Sequence, residues 1–284
     1  MQGPPTHVMR NRNPRGEMPF LDHLEELRWR ILWALLALVV CSIAAFGLVY
    51  YFDVLELLVM PIREAYETPN LRLIYLSPAD PFFVTLRLAI YGGIILAFPI
   101  LVYQIWAFLS PALEKDEKKA IVPALYLGLL LFIAGVALAY FAALPVTLEF
   151  FKAFLNTSLE GQLEINATLG FIVKMLIAFG AVFELPIVIL ALSLMGIVTP
   201  AFLRSKRRHA IVLITVLASF ITPGDAITLT IFMMVPLILL YEFGIFLSAG
   251  VYRRRAKAEK AAEKEREKEL EASLEAPAGS VERQ

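Results

Sequence analysis

Four acidic residues of this 284-residue chain sit where a carboxylate has consequences: Asp22, Glu26, Glu117 and Glu184. Asp22 and Glu26 belong to the stretch Phe20-Leu21-Asp22-His23-Leu24-Glu25-Glu26-Leu27-Arg28-Trp29-Arg30, which runs straight into the apolar run Ile31–Tyr51. Leu24, Leu27 and Ile31 share one helical stripe, so the helix is amphipathic at its start and apolar afterwards. Its first turns therefore lie at a membrane surface, on the face that Arg28 and Arg30 mark as cytoplasmic. Glu117 stands at the mouth of another apolar run. Two carboxylates on one face, amid basic loops, can accept paired guanidinium groups, and arginine suits them better than lysine because its planar fork grips a carboxylate through two parallel bonds. A plainer reading stands beside this one. Glu26 four residues before Arg30 is an intrahelical pair worth about 0.2–0.5 kcal/mol, carboxylates near a helix start suit its dipole, and Glu117 belongs to the charged run Glu114–Lys119, of the kind found in solvated loops.

Glu184 is the costliest residue to place. A charge at mid-membrane depth costs about 2.5–3.5 kcal/mol on insertion scales. Lys174, ten residues earlier, is about 15 Å away along a helix axis. Pro186 has no N–H for the carbonyl one turn before it. Glu184 is then either a neutral acid bonded inside the bundle or a polar site for another helix or an ion. In the second form it admits an alternative function for the chain, a proton-coupled secondary transporter with Glu184 as relay. The absence of inverted repeats and of paired broken helices counts against that alternative.

Enzyme templates do not fit. There is no Gly-x4-Gly-Lys-Ser/Thr loop. The histidines, His7, His23 and His209, lack metal-ligand spacing, and Cys41 is the only cysteine. The expectation is a non-enzyme with no catalytic residues, no metal, no cofactor and no nucleic-acid partner.

The elements that must hold these residues are membrane spans. Hydrophobic residues make up 59% of the chain and charged ones 18%, against roughly 45–50% and 25% in soluble domains. The chain reads as an all-α polytopic membrane protein with six transmembrane helices, at about 31–51, 86–109, 121–144, 169–195, 210–221 and 226–247. The first run is long enough to stay in the membrane, and residues 1–19 are polar and Pro-rich, so no cleavable signal peptide is expected. Residues 1–19 form a flexible basic tail, 20–252 the transmembrane domain and 253–284 a charged, partly helical tail. The fifth span, twelve residues or about 18 Å, is too short for a normal bilayer and makes a shallow hairpin with the sixth. Between spans 1 and 2, Val54–Met60 reads as an amphipathic helix ending at Pro61, with a second short helix starting at Ser77-Pro78-Ala79-Asp80-Pro81; Pro145–Ala167 reads as another outer loop. Pro99 marks a kink, and Tyr103 and Trp106 an interfacial belt. Lys and Arg concentrate in the two tails and in loops 110–120 and 204–208, which places both termini in the cytoplasm.

Several separated motifs together resemble the TatC family, the multi-spanning C subunit of the twin-arginine protein translocase. They are Phe20–Arg28, Ser77–Phe82, Phe98–Phe108, Phe183-Glu184-Leu185-Pro186 and Thr222-Pro223-Gly224-Asp225. The resemblance covers about residues 18–252. It implies a concave, glove-like bundle in a bacterial plasma (inner) membrane. It also implies a receptor that binds twin-arginine signal peptides at the cytoplasmic face and nucleates assembly with small single-span A and B subunits. Folded cargo is then exported on the proton-motive force, from a receptor complex that is itself oligomeric. By the same resemblance Glu26 and Glu117 engage the arginine pair, Arg28 and Phe108 flank them, and Pro61 and Pro186 are structural. Glu184 lines the concave face, and partners dock around that face and the span 5–6 hairpin that carries Asp225. Some relatives carry glutamine early in span 6, where this chain has Ile227-Thr228-Leu229-Thr230, so Thr228 or Thr230 supplies that polar contact.

Overall fold

The structure, a computed structural model, describes residues 20–67, 72–113, 117–154, 162–221 and 227–275. It is all-α: α1 (Phe20–Tyr51), α2 (Val54–Ala65), α3 (Asp80–Leu109), α4 (Ile121–Leu138), α5 (Leu144–Phe154), α6 (Ile165–Phe183), α7 (Leu185–Leu194), α8 (Pro200–Ser205), α9 (Arg207–Ile221) and α10 (Ile227–Glu275). Among the described residues, five helical stretches are long and apolar enough to cross a membrane. The remaining expected span, α9, has 15 residues, about 22 Å of helix. The helices group into two compact units, one of residues 1–57 and 75–129, the other of 58–74 and 130–284.

In the first unit α1 packs along α3. The crossing is made at small residues. A Cβ on Gly93 would fall 2.6 Å from the Ser42 Cα, and one on Gly92 would fall 3.2 Å from the Ala45 Cβ. Close backbone approach of this kind is how helices associate in lipid, where apolar burial alone gives no drive. Asp80 opens α3 by accepting the N–H groups of Leu76 at 2.9 Å and Ser77 at 2.7 Å. The helix begun by Ser77–Pro81 is therefore not separate: it is the first turn of a helix that continues through Pro99 to Leu109. Trp106 is 2% exposed, a core residue of this unit and not part of an interfacial belt; Tyr103 is exposed.

In the second unit two readings made from prolines are corrected. α2 does not stop at Pro61 but runs to Ala65. Pro61 removes one backbone bond, while Leu58, Val59, Pro61, Ile62 and Ala65 bury a continuous face that offsets the loss. Lys152 Nζ caps this helix, donating to the Ala65 carbonyl at 3.2 Å and reaching Glu67 at 3.1 Å. Pro145 does not open a loop either. A π-turn at Ala139–Ala143 re-registers the backbone bonds just before it, and α5 carries the helix on to Phe154. A π-turn is a known way to absorb such an interruption. The buried Thr147 hydroxyl donates to the Ala143 carbonyl at 2.7 Å.

Pro186 acts as its missing N–H implies: the apolar run 169–195 stays one span-length stretch, Ile165–Leu194, but is built of two helices, α6 and α7, parted at Glu184. On the other side of the unit, α10 packs on α7. The fully buried Ser193 and Ser248 hydroxyls are joined at 2.7 Å, and Gly244 lets Ile189 close in, 2.5 Å from where a Cβ would stand. Beyond the apolar stretch α10 continues unbroken through the charged sequence to Glu275.

Candidate functional site

Glu26 lies on the second turn of α1, its side chain 20% exposed. Its Oε1 accepts from Arg30 Nε at 2.9 Å, and Arg30 Nη2 approaches the same oxygen. The i,i+4 spacing made this pair legible in advance. The other oxygen, Oε2, is buried with no hydrogen-bond partner among the described residues, and stands 3.6 Å from His23 Nδ1. His23 in turn stacks on Phe108, ring centroids 4.3 Å apart and planes 14° from parallel.

The α1–α3 crossing explains why these groups meet. Ser42 abuts Gly93 and His23 abuts Phe108, so the two helices run antiparallel. Glu26 is sixteen residues before Ser42 and Phe108 fifteen after Gly93, which is about 24 and 22 Å along the respective axes. The start of α1 and the end of α3 therefore reach the same level. Glu26 and Phe108 are brought together through His23, a residue not singled out as a site member from sequence. Its i,i+3 spacing from Glu26 was the signal available.

The chain leaves α3 through a 3-10 turn at Ser110–Ala112 and re-enters helix through another at Glu117–Ala120. Glu117 opens the second turn, half-buried, in the same compact unit as Glu26 and Phe108. Arg28 is exposed on α1. The acidic and aromatic residues expected to act at the membrane face thus belong to one unit.

Glu184, Pro186 and Pro61 belong to the second unit. Glu184 is both the last turn of α6 and the residue before α7, with φ −76° and ψ −7°. Its N–H donates to the Ala181 carbonyl at 3.2 Å, and its own carbonyl accepts from Ile187 and Val188 at 2.9 and 3.0 Å. Pro186, fully buried, has no N–H to return to Val182, which is why the ladder breaks here. The Glu184 Oε1 is buried and has no hydrogen-bond partner among the described residues. Beside the break α4 and α6 approach closely: a Cβ on Gly135 would lie 2.7 Å from the Phe183 ring, and one on Gly180 2.6 Å from the Phe132 ring. Asp225 and the side chain of Thr228 lie outside the described residues; Thr230 is half-buried on the first turns of α10. Among the described residues no group of three or more His, Cys, Asp or Glu is arranged to hold a metal ion.

A family model described as Sec-independent protein translocase protein (TatC) matches residues 22–236. The Sec-independent protein translocase protein TatC of Aquifex aeolicus (strain VF5) is 37% identical over 248 residues, covering 86% of this chain and 100% of that protein. Its Escherichia coli (strain K12) counterpart is 36% identical over 234 residues, covering 81% and 88%. A crystal structure of the twin arginine translocase receptor TatC superposes with a TM-score of 0.67 at 37% identity, covering 80% of this chain and 98% of that one. A second, determined in the detergent DDM, gives 0.69 at 38% identity, covering 80% and 99%.

Proposed function

The chain belongs to the TatC family of Sec-independent protein translocase proteins, and from that premise we propose that it is the twin-arginine signal-peptide receptor of its translocase, with Glu26 and Glu117 as the groups that take the arginine pair. It is a membrane protein and not an enzyme. The reading further places both termini in the cytoplasm of a bacterium with its plasma membrane as host, and gives the chain small single-span A and B subunits as partners in an oligomeric receptor complex. Translocation of folded cargo is then driven by the proton-motive force.

One observation carries the assignment. Glu26 holds a guanidinium of its own chain on one oxygen while the other is buried without a hydrogen-bond donor. Arg30 thus occupies half of a carboxylate able to grip two donors. An incoming arginine exchanges with Arg30, whose intrahelical pairing is worth only about 0.2–0.5 kcal/mol, or reaches the buried oxygen once the His23 ring, 3.6 Å from it, swings aside. Phe108, held by His23, provides an aromatic wall on which a guanidinium plane stacks. Arg28 repels cations that approach off the acidic patch. In the second unit Glu184, at the α6–α7 break, is the polar contact offered to a partner helix. The transporter alternative has no observation in its favour.

The test is site-specific photocrosslinking of a signal peptide carrying Arg-Arg or Lys-Lys to the membrane-embedded chain. Crosslinking to the parent that depends on Arg-Arg, and that is lost in Glu26→Gln and in Glu117→Gln, supports the reading. Equal yields with Arg-Arg and Lys-Lys, or yields unaffected by either substitution, end it.

A further inference from the structure

The second unit carries a groove that the receptor reading does not use. It has a volume of about 210 Å³ and is lined by residues that include Arg204, Arg207, Glu242, Phe246, Gly250 and Arg253. Glu242 accepts from Arg207 Nη2 at 2.7 Å, so one guanidinium is already neutralised. Among the described residues no carboxylate pairs with Arg204 or Arg253, which leaves the groove with two uncompensated positive charges. Arg255 does not add a third, because it is turned back onto the Leu194 carbonyl and the Tyr252 ring. Gly250 keeps the groove open: nothing lies within 4 Å of the position a Cβ would take there.

Depth and surroundings identify the ligand class. From Met233 to Tyr252 the only charged residue is Glu242, already paired with Arg207, and the twenty residues make about 30 Å of helix. Arg253 opens the basic run Arg253–Arg255, and Arg204 and Arg207 stand in the basic segment 204–208, the kind of flanking charge that lies at headgroup level beside an apolar run. From the groove an outward stripe of α10 runs through Phe246, Glu242, Leu239 and Val235 at helical spacing; its one charge, Glu242, is paired with Arg207, and the other three are apolar. These are 68%, 65% and 56% exposed. A site with cationic groups at headgroup depth and an exposed apolar track leading away from it fits an amphiphilic anion; a soluble anion gains nothing from the track. Basic pockets beside membrane helices recognise acidic headgroups in this way.

We propose that the groove formed by Arg204, Arg207 and Arg253 between the start of α9 and α10 is a binding site for the phosphate headgroup of an anionic phospholipid, with an acyl chain lying along Phe246 and Leu239. The Arg207–Glu242 pair sets the floor and holds α9 against α10, while Arg204 and Arg253 grip the phosphate. Two free guanidinium groups match either one phosphate bound by both or two phosphates joined in one headgroup. The assignment is independent of the acidic patch on α1 and of which leaflet the groove faces.

The experiment titrates the full-length chain in detergent with phosphatidylglycerol, counting bound lipid by native mass spectrometry. Phosphatidylcholine, inorganic phosphate and an acidic amphipathic peptide serve as competitors. Each arginine near the surface accounts for about a fivefold gain in binding, so Arg204→Gln with Arg253→Gln lowers phosphatidylglycerol affinity about thirtyfold. The double variant Arg204→Lys with Arg253→Lys stays within a few-fold of the parent, and Arg208→Gln, an exposed change outside the groove, does not alter binding. The thermal midpoint of each variant is recorded alongside. Retention of phosphatidylglycerol at parental strength by a folded glutamine variant overturns the proposal, as does equally tight binding of phosphatidylcholine. Displacement by millimolar inorganic phosphate would make the groove a site for a free anion, and preference for the peptide a protein-docking surface; either also overturns it.

Discussion

Glu26 and Glu184 are both carboxylates with one buried oxygen lacking a hydrogen-bond partner among the described residues, yet their settings are opposite. Glu26 sits within an intact helix, braced by Arg30 one turn on and bordered by His23 and Phe108. Its surroundings are side chains, which can exchange partners at little cost. Glu184 sits at a rupture of the backbone, with Pro186 buried two residues on and close-packed glycines and phenylalanines nearby. Its surroundings are main chain and core, which cannot rearrange without moving helices. The contrast teaches that an acidic group suited to a transient ligand is held by replaceable charges, whereas one suited to a lasting contact is held by the fold.

The strongest way to break this comparison is at the ligand end. Hydrogen bonds to charged groups are worth about 1.5–3 kcal/mol, so Glu26→Gln should weaken binding of an Arg-Arg peptide about ten- to a hundredfold while leaving the unfolding midpoint nearly unchanged. Peptide titration and thermal unfolding of the same preparation check both halves. A large loss of stability would move Glu26 into the class of Glu184.

Next come the crossings that hold each region. Gly93→Ala places a Cβ against the Ser42 backbone, and Gly180→Ala places one in the Phe132 ring. Each should destabilise its unit by about 1–3 kcal/mol. They should differ in effect on function: Gly93→Ala shifts the start of α1 against the end of α3 and lowers peptide binding, and Gly180→Ala does not. Peptide affinity measured on both variants at a temperature where both are folded decides.

A smaller effect is expected at the break. Replacing a buried, unpartnered polar group by an apolar one of similar size is neutral or stabilising. Glu184→Leu should therefore keep or raise the unfolding midpoint, reduce co-purification of single-span partner subunits severalfold, and spare peptide binding. Loss of peptide binding to the same extent would merge the two carboxylates into one site. The smallest expected change is Arg30→Gln, which removes an intrahelical pair worth about 0.2–0.5 kcal/mol. It should barely alter stability but should raise Arg-Arg peptide affinity, since the ligand no longer competes with a resident guanidinium. An unchanged affinity would show that the incoming arginine uses only the buried oxygen.

Apolar runs and charge placement made the all-α membrane architecture readable, because twenty successive apolar residues have few other uses. The Glu26–Arg30 pair was equally readable, since both partners lie on one helix at fixed spacing. The errors share one cause. Pro61 and Pro145 read, by their local effect, as a helix end and a loop start. Their outcomes are set instead by what surrounds them: the buried face of α2 and the π-turn ahead of α5. Trp106 was placed at an interface by its position along α3, but which side of a helix is buried depends on neighbours that one apolar sequence does not name. His23 was missed for the same reason, as its stacking partner is 85 positions away.

The unbroken run of α10 has a mechanical consequence. Its 49 residues make a rod about 73 Å long, fastened part-way along by the Ser193–Ser248 bond. The last twenty or so residues stand clear of the apolar zone, stiffened by opposite charges three apart such as Lys260 with Glu263 and Lys264 with Glu267. Anything that grasps the charged end therefore holds the same continuous helix that carries the buried serine fastening and lines the groove beside Arg253.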